Sequence, residues 1–232
     1  MKKSTGYYNE NTLAKFGEAL NVAKAAVKSG EDFRVRFSDG NTKMGAVASV
    51  STLPFITCPA CCKETCGAKC YAAKLANLRP NVLRNYAINT AIAIYKPVEY
   101  WQQINDFVKG VRFFRFHVSG DILNYSYFRH MVGVANENPH CEILCFTKRF
   151  DIVNAYIDSN GDLPVNLHIL FSGWTNLIPT NPHKLPETNV YTCEADFDES
   201  WKTCGGNCFN CACRGVGCWQ VGKGDTIAFK MH

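Results

Sequence analysis

Apolar residues recur at helical spacing over residues 11–28, through Leu13, Phe16, Leu20, Val22, Ala23, Ala26 and Val27, and the pattern stops at Ser29-Gly30. It predicts an amphipathic helix with an ordinary glycine stop. Over residues 33–37 apolar positions alternate with arginine, Asp39-Gly40-Asn41 is turn chemistry, and residues 42–50 are small and β-branched, which predicts a hairpin. Helical spacing returns over residues 81–95, and Pro97 suits the first turn of another helix through Val108. Short apolar runs then alternate with helical ones. Residues 112–118 read as a strand followed by a helix over 125–136, and residues 142–147 as a strand followed by a helix over 151–157. Residues 167–171, 190–193 and 226–231 read as further strands. Strands alternating with helices of this length imply a parallel sheet joined by right-handed crossovers. The expected fold class is therefore α/β, an open or partial (β/α) barrel with a mostly parallel sheet. It carries an N-terminal helix plus hairpin and a C-terminal cysteine-rich metal-binding loop.

Parallel α/β sheets gather their ligands at the carboxyl ends of the strands. Here those ends carry Ser119-Gly120-Asp121, Thr147-Lys148-Arg149 and Ser172-Gly173-Trp174-Thr175. Turn formation alone explains any one of these runs, since Ser, Gly and Asp favour turns. Three of them together predict a lined pocket.

The composition is that of an ordinary globular protein: 232 residues, 47% hydrophobic and 19% charged. No apolar run approaches the ~20 residues of a membrane-spanning helix. The formal charge of +5 permits an anionic ligand such as a nucleotide or nucleic acid without requiring one, because scattered surface lysines give the same balance. Thirteen cysteines change this picture, five of them within residues 58–70 (CPACCKETCGAKC) and six within residues 193–218. A disulfide framework belongs to short secreted chains that cannot bury enough core, and it normally follows a signal peptide. This chain is long enough to bury a core, its count is odd, and its first residues, MKKSTGYYNE, lack the apolar stretch of a signal peptide. A reducing cytoplasm and bound metal are the expectation, with no membrane partner.

Pro54, Pro59 and Gly67 place the first group on a loop, where several thiolates can bend toward one point. A catalytic [4Fe–4S] cluster needs three thiolates so that one iron stays open, the logic that separates open from closed zinc sites. Cys62, Cys66 and Cys70, or Cys58, Cys61 and Cys66, or Cys58, Cys66 and Cys70 would each serve. None repeats the usual radical S-adenosylmethionine spacing, CxxxCxxC with an aromatic residue before the last cysteine. Cys58, Cys61, Cys66 and Cys70 also compose a closed four-thiolate set of the structural zinc kind. In the second group Cys208 and Cys211 form a CxxC flanked by Cys193 and Cys218, four thiolates for a second [4Fe–4S] cluster or for zinc. Cys204 and Cys213 remain as alternates, and several glycines free this loop to wrap a metal. Cys141 and Cys145 lie four apart on one strand face and read as inert core thiols. His117 and His168 lie within strands and read as core, with His117, close to Asp121, kept as a pocket candidate. The run of residues 112–116 suggests nucleic-acid stacking, but its strand alternation assigns it to the core.

The order of Thr57-Cys58-Pro59, Cys70-Tyr71-Ala72, FHVSGDI, FTK and SGW after strands, then Cys218-Trp219 and an Ile-Ala-Phe strand running to His232, resembles the phage "gene product 88" domain family over residues 53–232. The resemblance implies a phage or prophage origin, action in the host cytoplasm and a radical-SAM-like barrel with cysteine-bound metal. It implies a ligand set of Cys58, Cys66 and Cys70, with Cys61 and Cys62 as extras. Three segments follow: residues 1–52 as the helix and hairpin packed on the main domain, 53–192 as the radical-SAM-like α/β domain, and 193–232 as the cysteine-rich metal-binding segment with its final strand. If the site is of that type, Asp121 accepts from the methionine ammonium of S-adenosylmethionine, and Gly120 beside Ser119 lets the backbone come close. Lys148 or Arg149 pairs with the methionine carboxylate or an anionic substrate, with Ser172 and Trp174 lining the pocket and an electron donor required. Asp121 and Lys148 are the catalytic candidates. A different class of function, a non-enzymatic zinc protein that binds nucleic acid or a host factor through two structural sites, fits the same cysteines.

Overall fold

Side chains of the central strands divide between two cores with a period of two, and that division sets the layers of the molecule. The computed structural model describes residues 6–231, so residues 1–5 and His232, at which the last predicted strand was to end, lie outside it. Helix α1 (Glu10–Ser29) starts at Asn9, whose side chain accepts from the Thr12 N–H, and ends at Gly30 with φ 81°. Strands β1 (Phe37–Ser38) and β2 (Ala48–Val50) follow, then two short 3₁₀ turns, Ala60–Lys63 and Gly67–Lys69. The chain continues as α2 (Tyr71–Leu78), α3 (Pro80–Tyr95), α4 (Pro97–Val108), β3 (Phe113–Phe116), α5 (Tyr125–Glu137), β4 (Glu142–Thr147), α6 (Phe150–Asn160) and β5 (Leu167–Ser172). It closes with β6 (Glu187–Tyr191), β7 (Lys202–Thr203), α7 (Cys208–Arg214) and β8 (Thr226–Lys230).

The strands form one eight-stranded sheet in the order β1-β2-β3-β4-β5-β6-β8-β7. Only β1 is antiparallel to its neighbour. From β2 to β6 the chain always steps to the next strand in one direction, and right-handed crossovers that step one way put every intervening helix on one face. On that face Phe114, Phe116, Ile143, Cys145, Ile169 and Phe171 pack with Phe16 of α1, Ile92 of α3, Tyr100 of α4, Phe128 of α5 and Val153 of α6. The alternate residues Phe113, Leu144 and Leu170 point the other way, onto Met44, Val47, Ala212 of α7 and Trp219. A slip of one residue in any central strand would exchange the two sets.

The α/β class and the mostly parallel sheet agree with the sequence pattern, and the sheet is open, with β1 at one edge and β7 at the other. The hairpin exists with strands of two and three residues because side chains take the backbone groups a longer ladder would use. Gln103 Oε1 accepts from the Val35 N–H, Asn89 Oδ1 from the Arg36 N–H, and Asn41 Oδ1 from the Lys43 and Met44 N–H groups. The strand expected over residues 190–193 starts three residues earlier and ends two earlier, since the Thr192 and Cys193 N–H groups turn to the Asp196 carboxylate. Helices α2 and α7 were not foreseen. No helix among the described residues is long and apolar enough to cross a membrane.

Asn89 is buried on α3 and fastens the hairpin edge, donating to Arg36 O at 2.8 Å and Ser51 O at 2.9 Å while accepting from Arg36 N at 2.7 Å. Asn89→Ala strands these buried backbone groups, so urea unfolding should show a loss of about 2–3 kcal/mol. A loss within experimental error would mean that the edge is held by other contacts.

Candidate functional site

The chain leaving β2 is tied to the turn that follows β3, and the first cysteine loop grows from that tie. The Thr52 N–H donates to Ser119 O at 3.0 Å, and Ser119 Oγ donates to Thr52 O at 2.9 Å. Thr57, the residue before Cys58, shares a hydrogen bond of 3.0 Å with Thr52 Oγ1, donates to Leu53 O and accepts from the Asp121 N–H at 3.3 Å. Gly120 sits inside this tie at φ 83°, where an added Cβ would come within 2.0 Å of Thr52 Oγ1 and 2.5 Å of Thr57 Oγ1. Only glycine satisfies both the backbone angle and the space.

Asp121 is buried, and its carboxylate accepts from Thr147 Oγ1 at 2.6 Å, the Lys148 N–H at 2.9 Å and the Ile122 N–H at 2.8 Å. Burial pushes its pKa up, and these hydrogen bonds oppose the rise. The carboxylate therefore locks the ends of β3 and β4 together. Lys148 Nζ donates to Ser172 O at 2.7 Å and Ser172 Oγ at 2.8 Å and lies 5.7 Å from the Trp174 ring centroid. Lys148, Ser172 and Trp174 thus meet, and Asp121 stands beside them. Arg149 is otherwise committed: its guanidinium holds the Asp151 carboxylate through Nε and Nη2 and donates to the Ile122 and Leu123 carbonyls through Nη1.

The loop of residues 58–70 lies across this edge. Asn176 Nδ2, after β5, donates to Glu64 O at 2.9 Å; Lys69 Nζ donates to Met231 Sδ, after β8; and Tyr71 OH donates to Val118 O, after β3. Cys62 is buried, and Cys58, Cys61, Cys66 and Cys70 are partly so. Hydrogen bonding to Cys58 and burial raise the Cys62 thiol, and hydrogen bonding to Cys62 and burial raise Cys66. Burial raises Cys61 against the pull of Lys148. Burial also raises Cys70, whose Sγ caps α2 by accepting from the Ala73 N–H at 3.4 Å. Cys66 neighbours Cys61, Cys62 and Cys70, and Cys62 also neighbours Cys58. Among the described residues no group of three or more His, Cys, Asp or Glu side chains converges on a single metal position.

In the second group Cys193 is exposed and caps the short turn Glu194–Asp196, and Cys208 and Cys211 lie on α7. Cys204 lies just after β7. Its N–H donates to Ala228 O on β8, and its Sγ accepts from the Gly206 N–H at 3.5 Å. Cβ atoms added at Gly205 and Gly217 would lie 3.3 Å and 3.5 Å from Cys211 Sγ, so the glycines leave that thiol a clear cradle. Cys218 is pushed up to about 12 by burial, then by Cys204, Cys208 and Cys211 around it. Cys204, Cys208 and Cys211 have the spacing CxxxCxxC, with the aromatic Phe209 one position earlier than in the usual radical S-adenosylmethionine pattern. Cys213 is exposed and lines a cleft of about 280 Å³ beside Phe113 and Phe209, near the amino ends of β2 and β3.

His117 belongs to the helix-side core. It adopts φ 57°, its Nε2 lies 3.0 Å from Tyr127 OH, and Tyr127 OH lies 2.8 Å from Tyr100 OH. Burial, with Arg115 adding to it, lowers the imidazole to about 3, while burial raises the thiol of its neighbour Cys145. The two are a neutral pair. Cys141 and Cys145 are both buried core thiols, as their strand spacing predicted.

The sequence profile of the family described as Gene product 88 matches residues 23–199. The match takes in the first cysteine loop and strands β1 to β6 and stops before Cys204. No curated protein and no solved structure matches the chain.

Two consequences are measurable. Gly120→Ala should pry Thr57 from Asp121, so that the metal-free protein melts lower and the thiols of residues 58–70 react faster with a thiol reagent; unchanged reactivity would detach the loop from this tie. His117 is held neutral by burial, so its folded pKa lies below its unfolded one. The associated stability is present above about pH 6.5, the ordinary histidine value, and falls as the pH drops toward about 3. His117→Asn, which tolerates the left-handed angle, should flatten that slope in unfolding curves between these limits.

Proposed function

The chain belongs to the Gene product 88 family, and we propose that it is an iron–sulfur metalloprotein of radical S-adenosylmethionine-like type, with one open catalytic cluster on the first cysteine loop and a second, closed metal site. One observation carries the reading: a loop with five thiols is tied to the carboxyl edge of a mostly parallel sheet through Thr57 and Asn176, and its Cys61 lies near Lys148 and Asp121. The donors suit the group in kind, being soft thiolates, and metal would have to draw them together, since no three converge on one position among the described residues. Cys58, Cys66 and Cys70 would hold the catalytic cluster, and Cys204, Cys208, Cys211 and Cys218 the second, which takes iron–sulfur or zinc.

A reduced cluster there would supply the electron that cleaves S-adenosylmethionine, delivered by a separate electron donor. The chain's own residues would bind and orient. Lys148 Nζ, buried with only neutral oxygens as hydrogen-bond partners, is the cation for a carboxylate or an anionic substrate such as a nucleotide or nucleic acid. Gly120 keeps the backbone of the β3 turn low against Thr57, and Asp121 holds Lys148 in register through its backbone N–H. Trp174 covers Lys148 and shields it from water. As a phage or prophage protein it would act in the host cytoplasm, where thiolates stay reduced.

The CxxxCxxC spacing of Cys204, Cys208 and Cys211 favours a second reading, in which the catalytic cluster lies there and the first loop is the closed site. Anaerobic purification with iron, sulfide and zinc analysis tests both. Coloured protein whose reduced form converts S-adenosylmethionine to 5′-deoxyadenosine, with the conversion abolished by Cys66→Ala or Cys70→Ala and kept in Cys208→Ala, supports the first reading. The opposite pattern of variants selects the second. Colourless protein that binds only zinc and resists reconstitution overturns both in favour of a non-enzymatic zinc protein.

A further inference from the structure

Helix α2 is built inside out. Its alanines Ala72, Ala73 and Ala76 are buried, while Tyr71, Leu75 and Leu78 face outward at 61%, 41% and 67% exposure. Those three residues stand four and three apart, so they form one stripe along the helix surface. A helix that served only the core would turn its large side chains inward, and a contiguous apolar stripe left outside marks an interaction site. Lys74 and Arg79 flank the stripe in exposed positions, and residues 65–98 carry five cations and no carboxylate side chain. Among the described residues neither Lys74 nor Arg79 forms an ion pair.

The arm between β6 and β7 has the opposite character. Glu194, Asp196, Asp198 and Glu199 are exposed, and residues 192–201 contain no cation. Phe197 meets Trp201 edge to face with ring centroids 6.0 Å apart, and meets Tyr191 at 5.2 Å. Asp196 and Asp198 accept from Thr192 and Ser200, whereas among the described residues Glu194 and Glu199 form no ion pair and accept no side-chain hydrogen bond. The two surfaces share a root, because Lys69, just before α2, donates from Nζ to Met231 Sδ and the Met231 N–H donates to Tyr191 O, where the arm begins.

We propose that the occupant of the α2 stripe is a second copy of this chain, in a two-fold dimer where the acidic arm of each protomer lies on the α2 of its partner. Charge complementarity selects this occupant: a basic apolar face calls for an acidic aromatic surface, and the chain presents one. A two-fold axis uses both surfaces of both copies, so every contact occurs twice. Leu75 and Leu78 supply the apolar burial, and Lys74 and Arg79 meet Glu194 and Glu199. The dimer needs no metal, so it stands apart from the metal-site reading above.

Sedimentation velocity over a concentration series of the full-length, metal-free protein tests this, under reducing conditions that keep exposed thiols from cross-linking and with thermal melting to show that each variant folds. The chain should sediment as a dimer that dissociates as salt rises. Leu75→Ser with Leu78→Ser should leave a folded monomer. Lys74→Glu with Arg79→Glu, or Glu194→Lys with Glu199→Lys, should each weaken self-association by about tenfold or more, since like charges then face each other. Mixing these two charge-reversed chains should restore a dimer, because each α2 again meets an arm of opposite charge. A chain that stays monomeric at the highest concentration reached overturns the proposal, as does a dimer that all of these variants leave intact. A monomer whose binding to single-stranded DNA or to anionic vesicles is lost only with Lys74→Glu and Arg79→Glu also overturns it and assigns the face to an anionic partner.

Discussion

Everything at the carboxyl edge depends on one close approach, the passage of the Gly120 backbone between the hydroxyls of Thr52 and Thr57. Those hydroxyls lie on the two sides of the turn that starts the cysteine loop, and Gly120 belongs to the turn after β3. Because the glycine has no side chain, the Asp121 N–H can reach Thr57 while the Asp121 carboxylate reaches Thr147 and the Lys148 N–H. The exits of β2, β3 and β4 and the root of residues 58–70 are thereby fixed relative to one another by buried hydrogen bonds. Most of these groups are inaccessible to water, so each bond lost would leave an unsatisfied partner, which costs more than a surface bond returns.

The two faces of the sheet are put to different uses. One is sealed by α1 to α6 with large apolar side chains, and there His117, Cys141 and Cys145 are neutral core groups whose pKa shifts follow from burial. On the other face the apolar contacts at the amino ends, built on Trp219 and α7, give way to Arg115 and then to the cysteine loop. Arg115 lies over the Phe146 ring on that face.

Several features were legible in the sequence because they depend on local periodicity or on residue chemistry alone. The helical spacing of α1, α3, α4 and α5 and the alternation through β3, β4 and β5 follow from the burial of one side of each element, and the structure keeps them. The polar residues after those strands were identified as edge residues, and Lys148, Ser172 and Trp174 do meet. Other features resisted reading. Helices α2 and α7 sit among cysteines and glycines that look like loop, although Asn207 and Gly215 are ordinary cap residues and Cys70 performs a cap's role through its sulfur. Arg149 looks free in sequence, and only the fold shows its guanidinium bound to Asp151.

By itself the sequence determined the α/β class, the parallel sense of most of the sheet, the density of thiols and the membership that its motifs express, because periodicity, connection length and side-chain chemistry are properties of the chain. Only the tertiary structure decided which thiols are neighbours. Cys193 and Cys204 are equally plausible beside Cys208 when counted along the chain. The pairing of β7 with β8 sets where Cys204 lies, and the turn closed by Asp196 sets where Cys193 lies. Proximity between residues distant in sequence follows from strand pairing and from close approaches such as that of Gly120, and neither has a one-dimensional signature.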